Sequence, residues 1–207
     1  MGVLPLKLSE ELRDRLALKR AIETGTYRGR GTRLLASVFP KVVTIEVAPV
    51  LAAAAKASLK DVPGVEAREG SSRDVLPSLI QSAMPTLYWL DGHWSGGPTG
   101  GEDDECPVLA EIEAISAGHP DDCILIDDAR LFLAPPPPPH RPEQWPTFAE
   151  IKQAIALSRP DHVVLAAHDI LVAVPTTAHD LVTAFAAGKA PRGSSLLQRA
   201  LDRVRSG

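Results

Sequence analysis

The stretch Leu87-Tyr88-Trp89-Leu90-Asp91-Gly92-His93-Trp94-Ser95-Gly96-Gly97 constrains this chain more than any other. Leu87 to Leu90 are all apolar or aromatic, as suits a strand covered on both faces, and such strands belong to parallel sheets wrapped by helices. The run then breaks into an acid, a glycine, a histidine and a glycine-rich loop. In an open α/β sheet, ligands bind beyond the carboxyl ends of the strands. On an extended backbone Asp91 and His93 point to one side, which puts a carboxylate and an imidazole where chemistry is expected. Two other apolar runs end in a similar way. Arg20-Ala21-Ile22-Glu23 leads into Gly25-Thr26-Tyr27-Arg28-Gly29, and Cys123-Ile124-Leu125-Ile126 ends in Asp127-Asp128.

The rest of the chain alternates strands and helices around these three ends. The pattern predicts a helix over Ser9–Lys19 with Ser9 as its N-cap, a strand at Ala21–Glu23 and a helix from Thr32 to Phe39, stopped by Pro40. A β-branched strand, Lys41–Val47, is followed by an alanine-rich helix from Pro49 to Leu59. Next come a strand at Val65–Arg68, a helix over Asp74–Ser82 capped by Ser71 or Ser72, the Asp91 strand and a helix over Pro107–Ala117. After the fifth strand and a polyproline run, Pro135–Pro142, a helix is expected over Thr147–Ser158. Strands Asp161–Ala167 and Ile170–Val174 meet at His168-Asp169, a hairpin length, and helices near His179–Ala187 and Ser194–Arg205 follow. This order predicts an α/β fold of Rossmann-like type. Its mostly parallel seven-stranded sheet closes with an antiparallel hairpin and carries helices on both faces, in one domain over residues 1–207.

Bulk properties narrow the class. A formal charge of −4 over 207 residues gives no electrostatic footprint for nucleic acid. There is no apolar run of about 18 residues to cross a membrane, and the charges from Ser9 to Arg15 interrupt any signal-peptide core. Cys106 and Cys123 lie far from any paired motif, so neither a disulfide framework nor a zinc knuckle is expected. A cytoplasmic protein with reduced thiols is the expectation.

Three motifs carry chemistry. Glu23-Thr24-Gly25-Thr26-Tyr27-Arg28-Gly29 gives a strand-to-helix turn whose glycines let backbone approach a ligand. Glu46 ends the second strand 21 positions after Gly25, close to the roughly 20-residue spacing of a ribose-binding acid. Together they favour a nucleoside over an ordinary turn. Asp91, Asp127 and Asp128 gather like charges on neighbouring strand ends and call for a cation, Mg²⁺ or Mn²⁺ by ligand type; a turn cap is the alternative for the last two. Glu102-Asp103-Asp104-Glu105 reads as acid at a helix N-terminus, Asp121-Asp122 as a turn, and His119, His140, His162 and His179 as surface residues. The polyproline run is either a stiff linker or a rim to the site.

Glu23-x-Gly25-x-x-x-Gly29, Glu46, Gly70-Ser71-Ser72 and the closing hairpin resemble class I S-adenosylmethionine-dependent methyltransferases. The Leu90-Asp91-Gly92-His93 and Ile126-Asp127-Asp128 ends resemble, more narrowly, the metal-dependent sugar O-methyltransferases of macrolide and aminocoumarin tailoring. The resemblance covers roughly residues 18–175. It implies cofactor contacts from Glu23, Gly25, Thr26, Tyr27, Arg28, Gly29, Glu46, Ser71, Ser72 and Asp91. It implies Asp91, Asp127 and Asp128 as Mg²⁺ ligands and a base two residues past the first of them, an Asp in some relatives and His93 here.

The expected activity is therefore Mg²⁺-dependent transfer of a methyl group from S-adenosylmethionine to a hydroxyl of a sugar or oligosaccharide. His93, ordinarily titrating near 6.5, is the candidate base, and the Trp94–Gly101 loop is the candidate cover. A small-molecule or oligosaccharide acceptor is the expected partner, without nucleic acid or membrane, and a homodimer is the candidate assembly. A catechol-type O-methyltransferase is the near rival. A metal-dependent hydrolase, which leaves Glu46 unexplained, and a non-catalytic nucleoside-binding module are rivals of other classes.

Overall fold

The sheet follows the hydrophobic runs. β1 (Arg20–Thr24), β2 (Val42–Glu46), β4 (Thr86–Leu90), β5 (Cys123–Ile126) and β7 (Ile170–Pro175) are buried at every position. β3 (Val65–Glu69) and β6 (His162–Ala167) are more open and stand at the two edges. The strand order is β3-β2-β1-β4-β5-β7-β6. The first five strands pair in parallel, and β7 lies antiparallel between β5 and β6. This computed structural model describes residues 4–97 and 99–188.

Period-two alternation sorts the side chains. Ala21, Leu87, Trp89, Cys123 and Leu125 join one core with residues of α1 (Leu6–Leu16), α2 (Arg30–Val38) and α8 (His179–Ala186). Ile22, Tyr88, Leu90, Ile124 and Ile126 join the other with α5 (Val108–Ile115), α6 (Arg130–Leu133) and α7 (Phe148–Ser158). A core on each face explains why the central strands read as unbroken apolar runs. α3 (Pro49–Leu59) packs beside β2 and β3. The expected α/β fold with a closing antiparallel hairpin is what the structure shows. Among the described residues no helix is long and apolar enough to cross a membrane.

Two helices differ from expectation for local reasons. α1 begins at Leu6, one turn earlier than predicted, and Ser9 lies inside it. The Ser9 hydroxyl bonds back to the Pro5 carbonyl at 3.1 Å, four residues upstream, instead of capping. The helix predicted over 74–82 is a short α4 (Ser72–Val75) continued as a 3₁₀ turn over Leu76–Leu79. Pro77, which has no N–H to give, sits in that turn. Ser71 is the cap, accepting from the Arg73 amide at 3.3 Å. The helix expected over Ser194–Arg205 lies outside the described residues.

The crossover that matters runs between β1 and β4. The chain builds β2 and β3 to one side of β1, then returns to lay β4 along its other side. The crevice above this switch point is the ligand position of doubly wound sheets, and the ends of β1, β4 and β5 open onto it.

Candidate active site

The first wall of the crevice is the turn after β1. Gly25 has φ +82°, and a Cβ there would sit 2.0 Å from the Asp91 carbonyl oxygen. Only glycine fits that approach of β1 to β4, so the turn and the Asp91 end are one construction. Glu46 closes this side from the end of β2. Its Oε2 accepts the Tyr27 amide at 2.7 Å and its Oε1 the Ala48 amide at 3.0 Å. Each oxygen keeps a second lone pair, and the carboxylate lines a cavity of about 260 Å³ together with Gly25, Tyr27, Ser72, Asp91, His93 and Asp128.

Other predicted cofactor residues support this cavity without lining it. Glu23 is buried with its Oε2 bonded to the Thr32 hydroxyl at 2.5 Å and the Thr44 hydroxyl at 2.7 Å. Burial pushes its carboxyl up to about 7 against those two hydrogen bonds, with the Glu46 charge adding to the rise. It braces β1, α2 and β2. The Thr26 hydroxyl pairs with that of Thr44 at 2.6 Å. Gly29 starts α2 at φ +72°, the Arg28 guanidinium lies over the Tyr27 ring, and Ser71 is occupied in capping α4.

The second wall is the ends of β4 and β5. His93 follows β4 and is buried, with Nε2 3.2 Å from Asp128 Oδ2 and 3.8 Å from Asp91 Oδ1. Asp91 and His93 thus share a side, as the strand geometry implied. Asp128 reaches the same point because β5 has ended. It adopts φ +55°, which turns its carboxylate toward His93 and away from the direction of Asp127. Burial opposes charge on His93, but the Asp128 hydrogen bond and the charges of Asp91, Asp128 and Asp127 outweigh it and raise its pKa. Burial pushes Asp91 up to about 8, against the pull of His93 and with the push of Asp127 and Asp128. Burial also works against charge on Asp128, but bonds from His93 and Arg130 hold its carboxyl well below the ordinary range.

A divalent cation needs Asp91, Asp127 and Asp128 to converge as an oxygen cradle. Here Asp128 gives Oδ2 to His93 and Oδ1 to Arg130 Nη1 at 2.7 Å, and Asp127 Oδ1 accepts the Asp128 amide at 2.8 Å. Among the described residues no group of three or more His, Cys, Asp or Glu side chains is arranged to hold a metal ion. The expected Mg²⁺ set does not fit as it stands. An imidazole and a guanidinium flank Asp128, and Asp169 of the hairpin turn braces Arg130. The spacing Asp128-Ala129-Arg130 was visible in the sequence; its meaning was not.

The loop after His93 covers the cavity. Ser95, Gly96, Thr99 and Gly100 line it, and a Cβ on Gly100 would come within 2.7 Å of the Val47 side chain. The loop therefore lies directly on the end of β2. The acids at its base are not helix-start decoration. Asp104 pairs with Arg73 at 2.5 Å, and Glu105 is buried at 1% exposure. No local signal marked Glu105, because its side-chain partners lie 35 to 40 residues away. His140, expected on the surface, is half-buried with its ring against Trp94 and Trp145.

Neither a family model nor a curated protein matches this chain. Solved structures do. The O-methyltransferase TomG from Streptomyces achromogenes, involved in tomaymycin synthesis and bound to SAM, is 18% identical with a TM-score of 0.58 over 83% of this chain and 79% of that one. The Bacillus cereus O-methyltransferase in complex with SAH is 18% identical with a TM-score of 0.58, covering 84% and 82%. CalS10, an amino pentose methyltransferase of calicheamicin biosynthesis from Micromonospora echinaspora, is 15% identical with a TM-score of 0.52, covering 82% and 89%. The seven-stranded sheet with its closing antiparallel pair is thus the Rossmann-like methyltransferase fold.

Proposed function

We propose that the protein, with residues 1–207 acting as one catalytic domain, is an S-adenosylmethionine-dependent O-methyltransferase that modifies a hydroxyl of a sugar or oligosaccharide. The observation that carries this is the single cavity joining Gly25 and Glu46 on one wall to Asp91, His93 and Asp128 on the other. A nucleoside site and a buried proton acceptor share one space, on the fold of TomG and CalS10.

The residues fit the cofactor. Gly25 brings the end of β1 against the Asp91 end of β4 at the cavity, and the free lone pairs of Glu46 accept from ribose hydroxyls. When bound, S-adenosylmethionine supplies an electrophilic methyl group. The chain does the rest. Asp128 holds Nε2 of His93, fixing the ring and stabilising its charged form. His93 takes the acceptor hydroxyl proton at Nδ1, the nitrogen that Asp128 does not engage. Ser95, Gly96, Thr99 and Gly100 line the cavity and keep water from it. Magnesium would be held by Asp91, Asp127 and Asp128, the last of which also serves His93 and Arg130, and no step is assigned to it.

The sugar assignment is supported by the resemblance of the Asp91-Gly92-His93 and Asp127-Asp128 ends to sugar-tailoring enzymes and by the amino pentose specificity in the description of CalS10. The test pairs calorimetry with S-adenosylhomocysteine and labelled methyl transfer from S-adenosylmethionine to sugars and catechols. Saturable binding with transfer to a sugar is the expected result. No binding overturns the reading; transfer confined to catechols overturns the acceptor class alone.

A further inference from the structure

The polyproline segment ends on Glu105, and Glu105 reaches His93 through one ring. The buried carboxylate collects five hydrogen bonds: Trp145 Nε1 at 2.7 Å, the Arg141 amide at 3.1 Å to each oxygen, Arg141 Nε at 3.1 Å and His140 Nδ1 at 3.2 Å. Its own amide donates to the Gln144 side chain at 2.8 Å, and its carbonyl accepts the Trp94 amide at 2.7 Å. One residue thus fastens the 140–145 stretch with its side chain and the residue after His93 with its backbone. The Trp145 ring it holds packs edge-on against His93 at 5.3 Å between centroids, and Phe132 closes the same side at 6.4 Å. Burial works against charge on Glu105, but the bonds from Trp145, Arg141 and His140 outweigh it and hold its carboxyl below the ordinary range.

A buried carboxylate that takes its donors from one distant segment is a rigid fastening: charge-assisted bonds are strong and lose their value if the geometry slips. Fixing the ring of a proton acceptor matters because small misplacements cost rate steeply. We infer that Glu105 is a positioning residue, which fixes residues 140–145 as the wall behind His93 and thereby sets where His93 meets the acceptor. This rests on the proposed role of His93 as base.

The test uses the full chain with Glu105→Gln, which keeps the shape and removes the charge. Hydrogen exchange is expected to accelerate about 10-fold both at residues 140–145 and at the Trp94 amide, while β1 and β2 stay protected. S-adenosylhomocysteine affinity should stay within about twofold, and kcat for whichever acceptor turns over should fall about 10- to 100-fold. If 140–145 loosens while Trp94 exchange and kcat hold, Glu105 is only a fastener and the inference fails. Should Glu105→Gln not fold, Trp145→Phe keeps a ring against His93 and removes one of the five bonds; it should give the same paired change in exchange, to a smaller degree. Wild-type protein that does not bind S-adenosylhomocysteine would sink the methyltransferase reading and the positioning role with it; binding with kcat unchanged in Glu105→Gln would sink the positioning role alone.

Discussion

β5 carries an Asp-Asp pair at each end, and the two pairs have opposite fates. At the amino end, Asp122 is fully buried. Its Oδ1 accepts the Thr86 amide at 2.8 Å, at the start of β4, and its Oδ2 pairs with Arg159 at 3.1 Å. Arg159 in turn donates to the carbonyls of His119 and Ile115. At the carboxyl end, Asp128 meets His93 and Arg130 beside the cavity. One pair locks the foot of the sheet and the other arms its mouth. Composition does not distinguish them; strand direction does, because parallel strands all deliver their carboxyl ends to the same crevice.

The comparison breaks most visibly at Asp122. Asp122→Ala leaves Arg159 buried without its partner, a defect that costs about 3–5 kcal/mol. Against a typical total of roughly 5–15 kcal/mol, urea unfolding should show a large drop in midpoint, with S-adenosylhomocysteine still bound by the fraction that folds. A loss under about 1 kcal/mol would mean that the foot of β5 is no more structural than its mouth.

At the mouth the effect should fall on rate. His93→Ala should lower turnover about 10²- to 10⁴-fold, the usual worth of a placed base, with cofactor affinity little changed. The sign of the pH dependence follows from the raised pKa of His93. The neutral, proton-accepting form is gained above that pKa, so wild-type turnover should climb with pH through an inflection above the ordinary value near 6.5. Asp128→Asn removes the carboxylate that favours the imidazolium and should move the inflection to lower pH. Near-normal turnover in His93→Ala at saturating substrate refutes the base assignment.

Glu46 sharpens the contrast within the cavity, since in the proposed function it serves binding and not chemistry. Glu46→Ala removes a charge-assisted acceptor worth roughly 1.5–3 kcal/mol, so calorimetry should show S-adenosylhomocysteine bound about 10- to 100-fold more weakly. Unchanged affinity would remove the ribose role. The smallest effect is expected from chelation. With each Asp128 oxygen engaged, one by His93 and one by Arg130, EDTA should leave turnover unchanged and Mg²⁺ should show no saturable heat. Activity lost to EDTA and restored by Mg²⁺ would show that the carboxylates rearrange around an ion.

How much of this was legible depends on the range of each interaction. The turn at Gly25, the acid at Glu46 and the shared side of Asp91 and His93 follow from spacing within a strand–turn–helix unit, where local rules hold. The start of α1 was misplaced because Ser9 has two uses, as cap or as a back-bonded residue inside a helix, and propensity does not choose between them. Glu105 was read as helix-start acid because its neighbours are acids. The partners that bury it come from beyond the polyproline run.

By itself the sequence determined the architecture and the Gly25–Glu46 wall of the cavity. Apolar runs of strand length, punctuated by glycine and separated by helices, can bury themselves only in a mostly parallel, doubly covered sheet. Tertiary structure alone decided what each carboxylate does. A charge is defined energetically by what lies within a few ångströms of it, and those neighbours here come from distant elements: Arg159 for Asp122, His93 for Asp128, Trp145 and Arg141 for Glu105. Asp128, one of the three clustered acids that the sequence reads as a metal site, takes hydrogen bonds from His93 and Arg130 once those residues are folded beside it.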